Sequence, residues 1–123
     1  MRICCLLLLL TLLSCRKNKE SADTEPPQVV ITSPVNNDSY SHGDIVLIKA
    51  TLTDNRKIVE VHMHVLDKTA GTLLFDLHLN PAAASYNLDQ FIVAGSGISY
   101  KIQIIAKDNS ANEGSASVEI TSN

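Results

Sequence analysis

Apolar and polar residues alternate with period two in five or six stretches of this chain, and each stretch is bounded by Gly, Pro, Asn or Asp. Because successive side chains of a β-strand point to opposite faces, this alternation predicts strands with one buried face. No stretch has the spacing of an amphipathic helix. The sequence therefore predicts an all-β protein. The clearest stretch sets four apolar side chains against three polar ones: Val59, Val61, Met63 and Val65 against Glu60, His62 and His64.

The predicted strands are short and follow one another closely. About seven strands, with turns every ~8–12 residues, predict an antiparallel β-sandwich of the immunoglobulin kind, with an open barrel as the alternative. We expect the apolar residues of each strand to form the core, and Ile45 and Leu47 to be partly covered by a neighbouring strand. The strands are predicted in residues 28–33, 46–52, 59–65, 73–79, 85–88, 100–106 and 116–120.

The N-terminus carries a second pattern, in which a short apolar run precedes a cysteine. Arg2 provides a positive start, and the run ends in Leu12-Leu13-Ser14-Cys15. The run is far shorter than the ~20 residues that a membrane-spanning helix needs. This arrangement resembles the signal of bacterial lipoproteins, and the resemblance implies cleavage of residues 1–14 and lipid modification of Cys15. A retained membrane anchor and ordinary secretion are the alternatives.

Composition excludes several classes of function. All three cysteines lie at or before position 15, so the remaining chain has no thiol and its core is held by packing alone. The formal net charge is −3 and the basic residues are scattered, which argues against a nucleic-acid partner. The chain has no Trp and few other aromatic residues, which argues against carbohydrate binding. Because no nucleophile elbow or zinc-protease motif appears, we expect no enzymatic activity.

Three segments resemble bacterial Ig-like domains. The resemblance covers residues 26–123 and implies an Ig-like or fibronectin-III-like sandwich, in a family that serves as spacers, adhesion modules and ligand-binding domains. The cysteine pair and buried Trp of antibody domains are absent, and a tyrosine corner at Tyr100 is left open. The segments are Pro-Pro-Gln-Val-Val-Ile-Thr-Ser-Pro at 26–34, Gly-Asp-Ile-Val-Leu-Ile-Lys-Ala-Thr-Leu-Thr-Asp at 43–54, and Tyr-Lys-Ile-Gln-Ile-Ile-Ala-Lys-Asp-Asn-Ser-Ala-Asn at 100–112.

The outward side chains of the hairpin predicted for residues 58–79 form a first candidate site. If the two strands pair around Thr69, His62 faces Asp76 and Glu60 faces His78. Opposed residues have Cβ atoms ~5 Å apart, so two or three of these side chains reach one Zn²⁺ ion. The alternative is an exposed strand with ordinary polar pairs and no ligand. We name this patch the histidine face: Glu60, His62, His64, Asp76 and His78.

Two loops provide a second candidate site. In an Ig-like sandwich the loop that begins at Asp54 and the loop of residues 108–113 emerge at the same end, near Glu25. Ca²⁺ takes six to eight oxygen ligands, and similar cadherin-like modules bind it at such an end. The alternative is that these residues are ordinary turn formers. The candidate Ca²⁺ ligands are Asp54, Asp108, Asn112 and Glu113.

Together these observations predict a signal peptide at residues 1–14, a lipid site and flexible tether at 15–27, and an Ig-like domain at 28–123. We expect a lipoprotein that is anchored in the cell envelope through Cys15, in the outer membrane of a Gram-negative bacterium, with a periplasmic and a surface-exposed domain as the two alternatives. Its role is expected to be non-catalytic, as a protein-binding, adhesion or structural accessory module with an envelope or extracellular protein as partner. The alternatives are a module that binds Zn²⁺ or Ca²⁺, and a plain spacer; otherwise no cofactor is expected.

Overall fold

The computed structural model describes residues 21–123, and all the regular structure in this range is β. None of the described residues form a helix long and apolar enough to cross a membrane. The strands are β1 (Gln28–Ser33), β2 (Ser39–Tyr40), β3 (Ile45–Asp67), β4 (Thr72–Leu79), β5 (Ala83–Val93), β6 (Ser99–Asp108) and β7 (Glu113–Ser122).

Strand β3 belongs to two sheets. Its first part, residues 45–53, pairs antiparallel with β1 and β5, and its second part, residues 58–67, pairs antiparallel with β4 and β6. Ile58, at the start of the second part, also pairs with Ala83 of β5. Strand β7 continues the second sheet beyond β6, and the short β2 pairs with β7 in parallel. All seven strands are connected through β3 into one hydrogen-bonded sheet, which folds over into the two layers β1-β3-β5 and β4-β3-β6-β7-β2. The predicted antiparallel sandwich is confirmed. The strands predicted at residues 46–52 and 59–65 are, however, the two parts of the single strand β3.

A corner at Asp54 lets β3 pass from one sheet to the other. The Oδ2 atom of Asp54 accepts hydrogen bonds from the backbone N–H groups of Arg56, at 2.8 Å, and Lys57, at 2.6 Å. These bonds satisfy two donors at the point where the pairing register breaks, between Thr53 and Ile58. The side chain of Asp54 therefore takes the place of a partner strand at the corner.

The core lies between the two sheets and draws from both parts of β3. Val46, Ile48 and Leu52 from the first part are fully buried, as are Val61 and Met63 from the second. Burial of each large aliphatic side chain contributes about 1.5–3 kcal/mol, so packing of this kind stabilises a domain that has no disulfide. The second sheet adds further buried residues from β6 and β7: Ile102, Ile104, Ala106 and Ile120.

Three expectations about burial are wrong. Val59 is only partly buried and Ile58 is fully buried instead, because the pairing with β6 shifts register between Ile58 and Glu60. Ile45 and Leu47 are 62% and 47% exposed, because no further layer of the described chain covers the outer face of β3. Leu73 and Phe75, which we expected in the core, are 50% and 38% exposed. Only the end of β4 packs against the core, through Leu77 and Leu79. Apolar residues at an edge strand thus remain on the surface.

A tyrosine corner closes the connection from β5 to β6. Tyr100 is only 3% exposed, and its hydroxyl oxygen accepts a hydrogen bond from the backbone N–H of Gly95 at 2.7 Å. Ser122 adds a hydroxyl hydrogen bond to the carbonyl oxygen of Gly95 at 2.5 Å. The tyrosine corner that the sequence left open at Tyr100 is therefore present.

The segment that precedes β1 packs against the domain. Residues 21–27 have no regular secondary structure, but Asp23 and Pro27 are buried. We expected a solvated tether up to residue 27; instead its last part docks, because Pro27 lies directly over Gly114 of β7. Residues 1–20, including the predicted signal and Cys15, lie outside the described residues.

We predict that Gly114→Ala destabilises the domain. A Cβ atom at this position would overlap the carbonyl oxygen of Pro27, so the segment must move away or β7 must distort. Overpacking of this kind costs about 1–3 kcal/mol, which urea unfolding of residues 21–123 would measure. Ser115→Ala, at the exposed neighbouring position, is the control and should change stability by no more than about 0.5 kcal/mol. Equal unfolding midpoints for the two variants would contradict the docking of Pro27.

Candidate functional site

Three carboxylates meet at the end of the sandwich where β3 turns its corner. Asp54 comes from that corner, Asp108 from the end of β6, and Asp23 from the segment before β1. One carboxylate oxygen from each residue lies within 4.8 Å of the others. We call these three residues the acidic end.

Asp108 is held in place by the loop that follows it. Its Oδ1 accepts hydrogen bonds from the backbone N–H groups of Ser110, at 2.7 Å, and Asn112, at 2.9 Å. Its Oδ2 accepts one from Asn112 Nδ2 at 2.7 Å, and the residue is 2% exposed. Burial, the largest influence, would raise the pKa of Asp108, but the hydrogen bonds from Asn112 and Ser110 and the charge of Arg56 outweigh it and keep that pKa below its ordinary value of 3.8. Asp108 is therefore a carboxylate at neutral pH.

Asp23 is the member of the acidic end that reasoning from the sequence missed. Its side chain is 2% exposed, and its Oδ1 accepts hydrogen bonds from Glu25 N, at 3.1 Å, and Asn55 Nδ2, at 3.0 Å. Its Oδ2 lies 3.8 Å from Arg56 Nε. Asp23 sits in a polar stretch without periodicity, so no pattern in the sequence distinguishes it from the other tether residues.

Asp54 uses only one of its two carboxylate oxygens. Its Oδ2 holds the corner, whereas its Oδ1 is buried and accepts no hydrogen bond from any described residue. Buried polar atoms almost always have a partner, so this oxygen is an exception within the domain.

The structure brings together two of the four predicted Ca²⁺ ligands, Asp54 and Asp108. Asn112 turns its amide nitrogen toward Asp108 Oδ2 and the carbonyl oxygen of Asp23, so it positions the acidic end. Glu113 is exposed and lies outside the group; its carboxylate is 3.6 Å from Lys107 Nζ. Glu113, the first residue of β7, therefore lies away from the acidic end, because it pairs with Lys107 of β6.

The histidine face exists, with a pairing that differs from the predicted one. His62 lies opposite His78, and His64 lies opposite Asp76, whereas we expected His62 opposite Asp76. The register shifts between Val65 and Leu66, so that β4 carries one extra residue there. The total displacement is two residues, which keeps the same side chains on the outer face.

The side chains of the histidine face are close to one another. The rings of His62 and His78 are stacked with centroids 4.1 Å apart. His64 Nε2 lies 3.3 Å from Asp76 Oδ1, and His62 Nε2 lies 3.5 Å from Glu60 Oε2. Two overlapping groups offer ligand atoms within 4.8 Å of one another, namely His62 with His64 and Asp76, and His62 with Glu60 and His78. His62 belongs to both groups.

The chain matches a known protein family and resembles two kinds of solved structure. Residues 27–120 match a family model described as a bacterial Ig domain. The fibronectin(III)-like modules of CbhA from Clostridium thermocellum are 24% identical with a TM-score of 0.55; the match covers 79% of this chain and 46% of that one, so this chain spans less than half of that structure. A superoxide reductase (neelaredoxin) from Ignicoccus hospitalis is 11% identical with a TM-score of 0.58, over 80% of this chain and 81% of that one. At these identities the two structures show a shared fold alone. No curated protein sequence matches the chain.

Proposed function

The chain belongs to the bacterial Ig domain family, and we propose that it is a lipid-anchored module of the bacterial cell envelope that binds a protein partner. The fold is consistent with a non-catalytic accessory or binding role. The observation that carries the proposed protein binding is an apolar ladder on the outer face of the first sheet.

The apolar ladder consists of two cross-strand pairs, Ile45 with Val93 and Leu47 with Phe91. All four side chains are exposed, and Phe91 and Val93 are 61% and 59% exposed. They stand beside the free edge of β5, which pairs only with β3 among residues 21–123. An apolar patch with an aromatic residue next to an unpaired strand edge is typical of protein-binding surfaces.

The lipid anchor rests on the N-terminal sequence. The apolar run followed by Ser14-Cys15 is the support for processing before Cys15 and for lipid attachment to its thiol. The polar stretch after Cys15 would then separate the domain from the membrane. We propose the outer membrane of a Gram-negative bacterium as the location of this anchor.

We predict that a photo-crosslinker at position 91 captures a partner protein in living cells. Phe91→p-benzoylphenylalanine should give an adduct of defined mass, because the ladder faces the partner. Ser117→p-benzoylphenylalanine is the control, since Ser117 is exposed on β7 of the other sheet. Adding Leu47→Glu should reduce the adduct by about tenfold or more, because a charge enters the contact. Equal adducts at positions 91 and 117, or insensitivity to Leu47→Glu, would argue against the ladder as the binding surface.

We predict that Cys15→Ala abolishes incorporation of labelled palmitate and leaves the precursor uncleaved, because Cys15 is both the proposed lipid site and the first residue after the proposed cut. Cys5→Ala, which changes a cysteine within the signal, is the matched control and should keep both properties. Metabolic labelling followed by gel electrophoresis measures the two effects together, since the uncleaved precursor keeps residues 1–14. Label that persists in Cys15→Ala would rule out lipid attachment at this residue.

The second candidate function is Zn²⁺ binding by the histidine face. The specific support is the proximity of imidazole nitrogens and carboxylate oxygens, since Zn²⁺ binds both kinds of ligand. The face is partly exposed, so an ion reaches it without any opening of the sandwich.

For this candidate we predict that Zn²⁺ in excess raises the thermal midpoint by several degrees, because an ion that binds only the folded chain stabilises it. His62→Ala should remove the rise, since His62 belongs to both ligand groups. His42→Ala changes an exposed histidine outside the face and should leave the rise intact. A rise that survives in His62→Ala would exclude this site.

A further inference from the structure

We propose that the partner of the apolar ladder contributes an extended segment, which adds to the free edge of β5 as a further antiparallel strand. The segment carries apolar residues opposite Val93 and Phe91, and a Lys or Arg opposite Asp89. This inference rests on the proposed protein binding by the ladder and names the class of partner. It depends neither on the lipid anchor nor on the histidine face.

Strand β5 has a long edge without the features that usually prevent strand addition. Its 11 residues pair only with β3 among residues 21–123. The register of this pairing is continuous from Ser85 to Val93. The strand contains no Pro, and Asp89 is its one charged residue. Proteins usually blunt an exposed edge with bulges, prolines or several charges, so the edge of β5 is a template for another strand.

Strand β4, which also pairs only with β3 within the described part of the chain, is less suited to strand addition. It carries an extra residue where its register against β3 shifts, between Val65 and Leu66. A bulge of this kind bends an edge strand and interrupts its row of hydrogen-bonding groups. The outer face of β4 also carries Asp76 and His78. The proposal therefore places the added strand at β5.

The cross-strand rows of the outer face determine the chemistry of the added strand. Directly opposed side chains of neighbouring strands have Cβ atoms about 5 Å apart, so they contact one another. The two rows of the apolar ladder continue favourably with apolar residues. The next row is charged: Lys49 Nζ lies 3.7 Å from Asp89 Oδ2, and the side chain of Asp89 is 70% exposed. A basic residue on the free side of Asp89 therefore complements its charge.

A pocket beside the end of β5 receives the partner residue that lies between the two apolar ones. The pocket has a volume of about 280 Å³ and lies between β5 and β4, where Ile92 and Val93 face Leu74 and Phe75. Successive side chains of a strand point to opposite faces, so the partner residue opposite Ile92 points toward the sandwich rather than along the ladder. Because the lining is mainly apolar, we expect an apolar side chain there. Val93 belongs to both the ladder and the pocket.

A second copy of this chain fits the edge less well than a different protein. If two β5 strands paired antiparallel about Phe91, Asp89 of one copy would lie opposite Val93 of the other. This arrangement withdraws a carboxylate from water beside an apolar side chain and gives it no cation in return. A partner strand with a basic residue at this position avoids the penalty. The charge of Asp89 therefore selects a different protein.

The test measures binding of the fluorescein-labelled peptide Thr-Val-Ile-Val-Thr-Lys-Thr to the full chain, purified in a mild nonionic detergent. We expect fluorescence anisotropy to show saturable binding, with protein-free detergent as the blank. Two further peptides carry N-methyl groups on alternate residues, one in each of the two possible phases. Only every second amide of an added strand faces β5, so one phase should weaken binding about tenfold or more and the other should keep it.

The charge of Asp89 provides a second measurement. A peptide with Glu in place of Lys should bind the wild type about threefold or more weakly than the original peptide, because like charges then face one another. Asp89→Asn removes the charge at an exposed position, so this variant should bind the two peptides equally. Glu113→Gln neutralises an exposed acid on the other sheet; it is the control and should keep the preference.

Four results would overturn the proposal. They are no saturable binding of the unmodified peptide, equal binding of the two N-methylated peptides, an unchanged preference in Asp89→Asn, and a dimer of the chain in sedimentation that the peptide dissociates. Equal binding in both phases would mean that side chains bind without strand addition, and such a dimer would make a second copy the occupant. Each result is compatible with crosslinking at position 91 that Leu47→Glu reduces, so failure of this inference is distinct from failure of the ladder as a binding surface.

Discussion

The backbone of β3 turns from one sheet into the other at Asp54, whose carboxylate accepts hydrogen bonds from the two amides that follow the turn. This one interaction allows a single strand to supply core residues to both sheets, with Leu52 on one side of the corner and Ile58 on the other. The same turn brings Asp54 beside the loop after β6. The packing of the sandwich and the geometry of the acidic end therefore depend on the same residue.

Most of the fold could be predicted from the sequence because burial in a sandwich imposes a period of two. Val61 and Met63 alternate with His62, and no helical spacing competes with this pattern. The corner could not be predicted, because four residues without alternation read as a loop rather than as part of one strand. Burial at the sheet edges was also beyond reach: Phe75 and Phe91 are apolar, but their exposure depends on which strands lie outermost.

The candidate sites, like the fold, were predictable where they depend on local pattern and unpredictable where they depend on contacts between distant parts of the chain. Asp54 and Asp108 were predictable because loops at one end of a sandwich converge, and the members of the histidine face were predictable because outward positions share a face. The pairing of His62 with His78 could not be predicted, since it depends on an extra residue in β4. The position of Asp23 in the acidic end could not be predicted either, since its burial comes from a docked segment without sequence periodicity. These are contacts between distant parts of the chain, which local patterns do not encode.

The corner and the loop after β6 form one ordered end of the domain, to which the preceding segment is attached. Amide hydrogen exchange of the full chain, resolved by residue in the presence of EDTA, tests it most directly. The backbone N–H groups of Arg56, Lys57 and Asn112 donate to the carboxylates of Asp54 and Asp108, so we expect them to exchange far more slowly than the exposed turn at Ser96. Exchange at all three as fast as at Ser96 would contradict the account, because the carboxylates would not then be holding the corner.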